Sequence, residues 1–440
     1  MSQQVASSPA PSYRSLLRVT GFKPLLATAL LARTALMMST VAFVLFALQR
    51  FHSPAIAGLT VFLLVFPGMA MSPINGALLD RFGRARMMAV DLSLTAAAVL
   101  AIAVLAWSGA LTAAEMLLIV SLASLTGSLS SGATRALFPL VVPEPLWERA
   151  NAIDMIGYAG GAIVGPALAG GLTATVGGPG ALLAIAIAYV AAALPLLVVP
   201  DPTVQRPASR GVFRDARDGL AYVVRSRSLR WLAVSLFLVN AGWGIVTVAL
   251  PLAVFARGSG PGVVGAIFAV EGIVAVPAAI LGGRLNTRGR ERIIISLCAA
   301  AMGAATLLLL APSLAPLFLG LAVIGAANGP MNVALAALRQ RRTAPAWFGR
   351  VFAISISLNY AGMPVGAAIA GTVAARSMTA ALLVAAGLAL VGAIVVWNIP
   401  AAEAAVGMPP ADDAGVALGD GAPRGQSVAV ARAGTARLRT

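Results

Sequence analysis

Twelve apolar stretches constrain this chain most, because each is long enough to cross the ~30 Å hydrocarbon core of a bilayer. Lipid offers no hydrogen-bond partners to an open backbone, so each stretch must be a helix, and the alternating pattern of barrel strands is missing. Charged residues make up 10% of the 440 residues, whereas a soluble domain carries about 25%. The sequence therefore predicts an all-α polytopic membrane protein. Its predicted spans lie at 24–48, 54–77, 87–107, 113–135, 152–174, 180–200, 230–255, 262–283, 293–311, 314–338, 349–373 and 378–398.

The connections between these spans alternate in charge. The longer set is rich in arginine, and with the termini it holds most of the 31 basic residues, against 15 acidic ones in the chain. By the positive-inside rule, this set and both termini are predicted to be cytoplasmic, with the protein in the inner (plasma) membrane. The net charge of +16 is therefore interpreted as a topology signal, and no nucleic-acid partner is expected. The short, nearly uncharged set lies at 49–53, 108–112, 175–179, 256–261, 312–313 and 374–377.

A polar segment divides the spans six and six. In part of this segment apolar residues interleave with arginine and aspartate, which predicts an amphipathic helix along the inner membrane surface. The last residues are rich in alanine and glycine without periodicity, which predicts a disordered cytoplasmic tail. The predicted organisation is a cytoplasmic N-terminal segment at 1–23, a first bundle at 24–200, a linker at 201–229, a second bundle at 230–398 and the tail at 399–440.

The counts of reactive residues exclude most enzyme classes. Cys298 and His52 are the only cysteine and histidine, so a disulfide, a zinc cluster and a Ser/His/Asp triad are excluded. The only lysine is Lys23, and no phosphate-binding loop surrounds it. We therefore expect a protein without enzymatic activity, metal or cofactor. Its energy must come from an ion gradient or from the gradient of the substrate itself, and the proton gradient is the expected source.

A loop motif occurs twice, 206 residues apart. Glycine, leucine, Asp or Asn, glycine and arginine recur at the same spacing after spans two and eight, which indicates that the two six-helix halves are duplicated. In the first copy, Gly76 is expected to permit close helix approach and Gly83 a tight turn. The copies read Gly76-x-x-x-Asp80-Arg81-x-Gly83-Arg84 and Gly282-x-x-x-Asn286-x-x-Gly289-Arg290.

With this motif after the second of twelve spans, the chain resembles the major facilitator superfamily over essentially all of residues 20–400. The resemblance implies two pseudo-symmetric six-helix bundles with a cytoplasmic gate between them. Asp154 is expected to pair with Arg81 or Arg84 in this gate, and Asn286 in place of aspartate implies a weaker second latch. The expected gate residues are Gly76, Asp80, Arg81, Gly83, Arg84, Asp154, Gly282, Asn286, Gly289 and Arg290.

The fifth predicted span carries a run of small residues. Gly161, Gly165, Pro166 and Gly170 form a pattern similar to the fifth-helix motif of the family's exporters, although Ala169 stands where that pattern has glycine. The alternative is a packing seam without meaning for transport, since small residues let helices approach closely.

The segment that follows span four adds to this resemblance. The run from Arg135 to Ala152 resembles the drug-efflux and siderophore-export branch. Arg135 lies at the cytoplasmic end of span four, however, whereas many family antiporters carry an arginine in its outer half, so proton antiport has less support.

Two charges fall deep inside predicted spans, where insertion of each costs at least ~2.5–3.5 kcal/mol. Glu271 is the candidate for proton coupling, and the alternative is a fixed salt bridge or hydrogen bond. Arg33 is a candidate for contact with an anionic substrate group or for a counter-charge to Glu271, and the alternative is a bond to backbone carbonyls. Asp91 and Glu115 lie near span ends, where we expect them to be solvated or capped.

Further polar and aromatic residues fall at mid-membrane. They are expected to line a central cavity, and the alternative for each is an interhelical hydrogen bond or a packing contact. Together with Met37, Met38 and Phe43 in span one they predict a mostly apolar cavity with few polar groups. The residues are Asn240, Trp243, Asn328, Asn332, Asn359 and Tyr360.

These observations predict a secondary-active exporter of hydrophobic small molecules, such as drugs or secondary metabolites. It is expected to work as a monomer in the bilayer by alternating access, with proton coupling. An uptake permease or a lipid mover of the same fold remains an alternative. A non-transporting receptor or scaffold is a third reading, which would not require the duplicated loop or the charges within the spans.

Overall fold

The structure, a computed structural model, describes residues 12–201, 212–344 and 347–400. Over these ranges the chain is helical and contains no β-strand. Sixteen α-helices follow one another, some of them joined by short turns of 3₁₀ helix. They are α1 (Tyr13–Leu17), α2 (Phe22–Phe51), α3 (Pro54–Ala70), α4 (Ser72–Phe82), α5 (Arg84–Trp107), α6 (Ala113–Ser124), α7 (Ser128–Val141), α8 (Trp147–Ala193), α9 (Val212–Arg225), α10 (Arg227–Phe255), α11 (Pro261–Gly282), α12 (Glu291–Leu307), α13 (Ala315–Arg342), α14 (Phe348–Tyr360), α15 (Gly362–Ala374) and α16 (Met378–Val395).

The described helices account for twelve membrane spans. Ten helical segments are long and apolar enough to cross a bilayer, and α3 with α4, bent by 56°, form one more. The segment Glu144–Val198 has 55 residues, about twice the length that a span needs. Gly177 interrupts this segment with φ 77° and ψ 171°, which are not helical angles. Division at Gly177 gives two spans from this segment and confirms the predicted all-α, twelve-span fold.

The short connections end where the sequence supplies helix caps. Ser53 and Ser377 accept hydrogen bonds from the amides of Ile56 and Ala380, so α3 and α16 each begin at a capped end. Thr112 and Glu115 bond reciprocally at the start of α6, which is a capping box. The expectation that Glu115 is solvated or capped is therefore confirmed.

Two helical bundles make up the fold. The first contains α2–α8 and the second contains α10–α16, and they touch through α8 with α11 and through α3 with α15. These contacts lie near the short connections between the spans. We call the side of the protein that carries these connections the short-loop face. A Cβ atom at Gly170 would lie 2.7 Å from the Cα of Gly265, and one at Gly371 would lie 2.8 Å from the Cα of Ala55. The backbones of the two bundles are thus in direct contact at this face.

Between the bundles, the linker contains the predicted helix. Within α9, Tyr222 and Val223 are buried, whereas Arg217 and Arg225 are exposed. The Tyr222 hydroxyl accepts a hydrogen bond from the amide of Ala344 at 3.1 Å, and its ring lies 5.6 Å from that of Trp347. Through Tyr222 the linker helix therefore packs on the second bundle. The rest of the predicted linker at 202–211, the tail at 401–440 and residues 1–11 lie outside the described residues.

Candidate functional site

An ion pair joins the first and fifth spans. Arg33 Nη1 donates to Asp154 Oδ1 at 2.6 Å, and Nη2 donates to Oδ2 at 3.0 Å. Arg33 Nη1 also donates to the Asp154 carbonyl, and the two side chains are only 19% and 12% exposed. A planar guanidinium that binds both oxygens of a carboxylate fixes the distance and the rotation of the two helices.

This pair corrects the prediction that Asp154 binds Arg81 or Arg84. Helices α2 and α8 pack side by side, and a Cβ at Gly165 would lie 2.6 Å from the Cβ of Met37. The small residues of α8 therefore bring Arg33 and Asp154 to the same depth, while Arg81 and Arg84 belong to the loop between α4 and α5.

Two tyrosines extend the pair toward the second bundle. The Arg33 guanidinium lies 5.8 Å from the ring centre of Tyr158, which is close enough for a cation–π interaction. The Tyr158 hydroxyl approaches that of Tyr360 in α14, and Arg135 of α7 lies near enough to act electrostatically on Tyr158. Both tyrosines are exposed. These side chains, contributed by both bundles, therefore lie close to one another, and we call the region around Arg33, Tyr158 and Tyr360 the central space.

Glu271 belongs to α11 of the second bundle, and a Cβ at the adjacent Gly272 would lie 2.9 Å from the side chain of Ile163 in α8. Its side chain contacts that of Asn328 in the neighbouring helix α13. Asn332 Nδ2 donates to Asn328 Oδ1 at 2.6 Å, so the three residues form a chain. A Cβ at Gly325 would overlap the carbonyl of Glu271, which shows how closely α11 and α13 pack here. The structure places Glu271, Asn328 and Asn332 together.

The other residues expected at the cavity are dispersed. Asn240 donates to the Leu236 carbonyl of its own helix at 2.9 Å. Asn359 is buried, and its Oδ1 has no hydrogen-bond partner among the residues that the structure describes. Trp243 packs edge-on against Phe268, 6.1 Å between ring centres. It also lines a void of about 10 Å³ inside the second bundle, together with residues of α12 and α16. For Trp243, the packing alternative describes the contacts.

The methionines and the phenylalanine of span one also differ from the expectation. Met38 and Phe43 lie in the buried core of the first bundle, and Met37 packs against Gly165. These three side chains therefore pack within the first bundle, whereas the sequence predicted that they contribute to the cavity.

In the first copy of the duplicated loop, an ion pair and an unexpected helix cap are formed by described residues. Arg84 Nη2 donates to Asp80 Oδ1 at 3.2 Å, while Arg81 is exposed and lies over the ring of Phe82. The carboxylate of Asp201 accepts from the amides of Arg84, Ala85 and Arg86, at 3.1, 3.0 and 3.3 Å. Asp201 thereby caps the N-terminus of α5 from the end of span six.

The two glycines of this copy differ in what they permit. Gly83 has φ 91°, which confirms the expected tight turn. The expected close approach at Gly76 is wrong, since a Cβ there would meet no neighbouring atom of the described chain within 4 Å.

The second copy of the loop uses different contacts. A Cβ at Gly282 would lie 2.9 Å from the Cα of Pro330, so this glycine does permit close approach. Gly289 has φ 75°, and Asn286 Oδ1 accepts from the amide of Arg288 at 3.2 Å. Arg290 is exposed. The acidic residue that forms an ion pair here is Glu291, whose carboxylate accepts a hydrogen bond from Arg341 of α13.

The small residues of span five form a packing surface on two sides. Gly161 and Gly165 face α2, whereas Gly170 faces α11 at the contact between the bundles. A Cβ at Gly265 would lie 2.5 Å from the carbonyl of Pro166. The packing alternative therefore describes their contacts, and export has to be supported by other observations.

The sequence did not identify four residues as functional candidates, namely Tyr158, Asp201, Asp91 and Ser130. Tyr158 follows Asp154 by four residues, so the 3.6-residue period places both on one helix face. Asp201 has no counterpart in the second half, where Ala401 follows Ile399-Pro400, and this asymmetry was a readable signal. Asp91 was expected at a solvated or capped position, but it is buried and bonded to Ser130. No signal in the sequence alone points to Ser130.

The sequence of the chain matches the model of the Major Facilitator Superfamily at residues 25–259 and 232–417. It is 39% identical over 393 residues to an uncharacterized MFS-type transporter, y4rN, of Sinorhizobium fredii, covering 88% of this chain and 97% of that protein. It is 28% identical over 349 residues to the multidrug efflux pump Tap of Mycobacterium tuberculosis, covering 76% of this chain and 82% of that protein.

Solved structures show the same fold at low sequence identity. The nucleoside transporter NupG superposes with a TM-score of 0.70 at 16% identity, covering 86% of this chain and 98% of that one. A bacterial homologue of the human lysosomal transporter Spinster, in an inward-facing and unoccupied conformation, gives 0.61 at 15% identity, covering 86% and 94%. With the family match over most of the chain, these findings show that the protein is a multi-pass membrane transporter that belongs to the major facilitator superfamily.

Proposed function

We propose that the protein is a secondary-active exporter of hydrophobic small molecules, such as drugs or secondary metabolites. The similarity to a multidrug efflux pump over 76% of the chain is the observation that carries export. The geometry supports the substrate class, because the central space combines the tyrosines Tyr158 and Tyr360 with only a few charged groups. Aromatic walls with few polar groups suit hydrophobic ligands of varied shape.

In the proposed orientation the arginine-rich loops and both termini are cytoplasmic, in the plasma membrane. The short-loop face is then the outer face. The contacts of Gly170 with Gly265 and of Gly371 with Ala55 close the outer face. The central space then takes up substrate from the cytoplasm, and rocking of the two bundles releases it outside. One chain suffices for this cycle, so we propose a monomer.

We assign proton coupling to Glu271, with Asn328 and Asn332 as its hydrogen-bonding partners. A carboxyl that contacts only neutral groups in the membrane exchanges its charge for a proton at the lowest cost. Arg33 serves as a counter-charge in the central space. Because both of its terminal nitrogens bind Asp154, an anionic substrate group has to compete with that carboxylate.

The test uses inside-out vesicles and a panel of hydrophobic compounds, with and without a proton uncoupler. We expect uptake into these vesicles that the uncoupler abolishes, and that Glu271→Gln abolishes while the protein is still made and inserted. The matched control is Glu115→Gln, because glutamine maintains the capping box at an exposed site.

Three outcomes would contradict parts of the proposal. Unchanged uncoupler-sensitive transport by Glu271→Gln would remove the coupling role of this residue. Accumulation of a compound by intact cells, with no extrusion, would favour an uptake permease. Movement of fluorescent lipid between leaflets, with no compound in the panel transported, would favour a lipid mover.

A further inference from the structure

A buried carboxyl lies in the first bundle, outside the central space. Asp91, the eighth residue of α5, is 3% exposed. Its Oδ2 accepts from the Ser130 amide at 3.2 Å and from the Ser130 hydroxyl. Its Oδ1 is buried and has no hydrogen-bond partner in the part of the chain that the structure describes. Among the described residues, Oδ2 therefore accepts two hydrogen bonds and Oδ1 accepts none.

The partner of Asp91 lies at an interruption of span four. Helix α6 ends at Ser124 and α7 begins at Ser128, with a turn between them. Ser130 is the third residue of α7, so its amide is one of the free N–H groups at a helix N-terminus. The carboxyl of Asp91 is thus bound to the positive end of a half-helix inside the membrane.

No counter-cation offsets Asp91 among the described residues. Arg84, two turns earlier on the same helix, is paired with Asp80 of α4, and Arg135 of α7 lies toward Tyr158. Helix α8 contributes Tyr189, whose hydroxyl shares a hydrogen bond with Ser39 at 3.3 Å.

The remaining packed elements contribute no charge here either. From α6, Glu115 is bound at its own capping box far along the span, and the residues 194–198 carry no charge. A carboxyl buried without a cation requires neutralisation, either by a proton or by a bound ion.

The surroundings favour the proton. Cation sites at broken helices use the carbonyl oxygens that the break releases. Here the Leu125 carbonyl accepts from Asn75 Nδ2 at 2.8 Å, and the Ser124 carbonyl accepts from the amide of Gly127 at 3.0 Å. The Thr126 hydroxyl donates to the Ala123 carbonyl, which leaves its oxygen free to accept. This hydroxyl contacts the Asp91 carboxyl and can accept a hydrogen bond from a protonated Oδ1.

We propose that Asp91 is a second proton-binding site of the protein, separate from Glu271, in which Oδ1 takes the proton while Oδ2 remains bonded to Ser130 at the start of α7. Protonation removes the charge that the N-terminus of α7 attracts. It therefore loosens α7, which also carries Arg135 into the central space five residues further along. The site goes beyond the proposed function, because proton binding here requires neither export nor a particular substrate.

The experiment is pH-difference infrared spectroscopy of the purified protein in lipid, which detects the C=O band of protonated carboxyls without transport. We expect one band to be lost in Asp91→Asn and to be retained in Glu271→Gln. Ser130→Ala should shift the frequency of the same band, since it removes the hydroxyl that bonds to Oδ2. The Ser130→Ala spectrum also tests the site if Asp91→Asn does not fold.

Three results would overturn the proposal. One is a pH-difference spectrum that Asp91→Asn leaves unchanged. Another is a carboxyl band that Ser130→Ala does not move. A change on addition of Na⁺ at constant pH, lost in Asp91→Asn, would show that the site takes a metal cation instead. Loss of transport in these variants has no bearing on the spectra, so failure of this proposal and failure of the proposed function are distinguishable.

Discussion

The carboxylate of Asp201 occupies the space that a side chain at Gly83 would take. A Cβ on Gly83 would lie 2.5 Å from Asp201 Oδ2, and the φ of 91° at Gly83 is one that residues with a Cβ seldom adopt. Two separate reasons thus require glycine at this position. One is the turn between α4 and α5, and the other is the cap that the end of span six places on α5.

This relationship predicts a non-additive pair of mutations. Gly83→Ala should destabilise the protein by more than the ~1–3 kcal/mol expected for a strained backbone with positive φ alone, because the carboxylate must move as well. Asp201→Ala should cost about 1 kcal/mol through loss of the cap. In the Asp201→Ala background, Gly83→Ala should cost only the backbone part. Thermal unfolding of the purified wild type, the two single variants and the double variant in detergent measures this double-mutant cycle.

The matched control for this cycle is Gly289→Ala. Gly289 has φ 75° at the equivalent turn, but a Cβ there meets no atom of the described chain within 4 Å. It should therefore show the backbone cost alone, with or without Asp201. Equal costs for Gly83→Ala and Gly289→Ala in the wild-type background would contradict the role of Asp201.

The pair of Arg33 with Asp154 predicts a cost that depends on which partner remains. Asp154→Leu alone leaves the charge of a mostly buried arginine unpaired, at a cost of about 3 kcal/mol. The double variant Arg33→Met with Asp154→Leu should be less destabilised than either single variant. Thermal unfolding of the three proteins tests this order. Arg376→Ala, at an exposed site, provides the control, and a double variant less stable than both singles would argue against the pair.

Because the bundles touch at the short-loop face, a methyl group added at this contact should shift the protein toward conformations in which the bundles are separated there. Gly170→Ala places a Cβ 2.6 Å from the carbonyl of Pro261, so it should disfavour closure of this face, whereas Gly171→Ala meets no described atom within 4 Å. Spin labels on cysteines at Ser108 and Arg376, in a Cys298→Ala background, report the separation of the bundles. We expect about a tenfold gain of the separated population, or about 1.4 kcal/mol, in Gly170→Ala only. Identical distance distributions in both variants would refute the contact.

The gate loop predicts an effect on turnover with no effect on substrate binding. Asp80 pairs with Arg84 on the arginine-rich face, away from the central space, so Asp80→Asn should slow the cycle by about tenfold, or about 1.4 kcal/mol. Substrate affinity, measured by equilibrium binding, should remain that of the wild type. Glu148→Gln, an exposed acid on the same face, is the control. Weaker binding with normal turnover would assign Asp80 to the substrate site instead.

Much of the fold could be predicted because membrane helices are specified locally. A span is an apolar run of sufficient length, and its ends follow from residues such as Ser53, Thr112 and Gly177. The duplicated loop was readable for a similar reason, since the turn at Gly83 and its copy at Gly289 each require a left-handed backbone. These features depend on residues that are neighbours in sequence.

The site was only partly predictable, because its contacts depend on which helices lie side by side. The sequence by itself determined twelve spans, the duplicated loop and the position of Arg33, Asp154 and Glu271 within spans. Only the tertiary structure decided that Asp154 binds Arg33, that Asp201 caps α5, and that Asp91 is buried against Ser130. The physical reason is that a charge within a bilayer must find its partner on a neighbouring helix, and the packing of small residues chooses that neighbour.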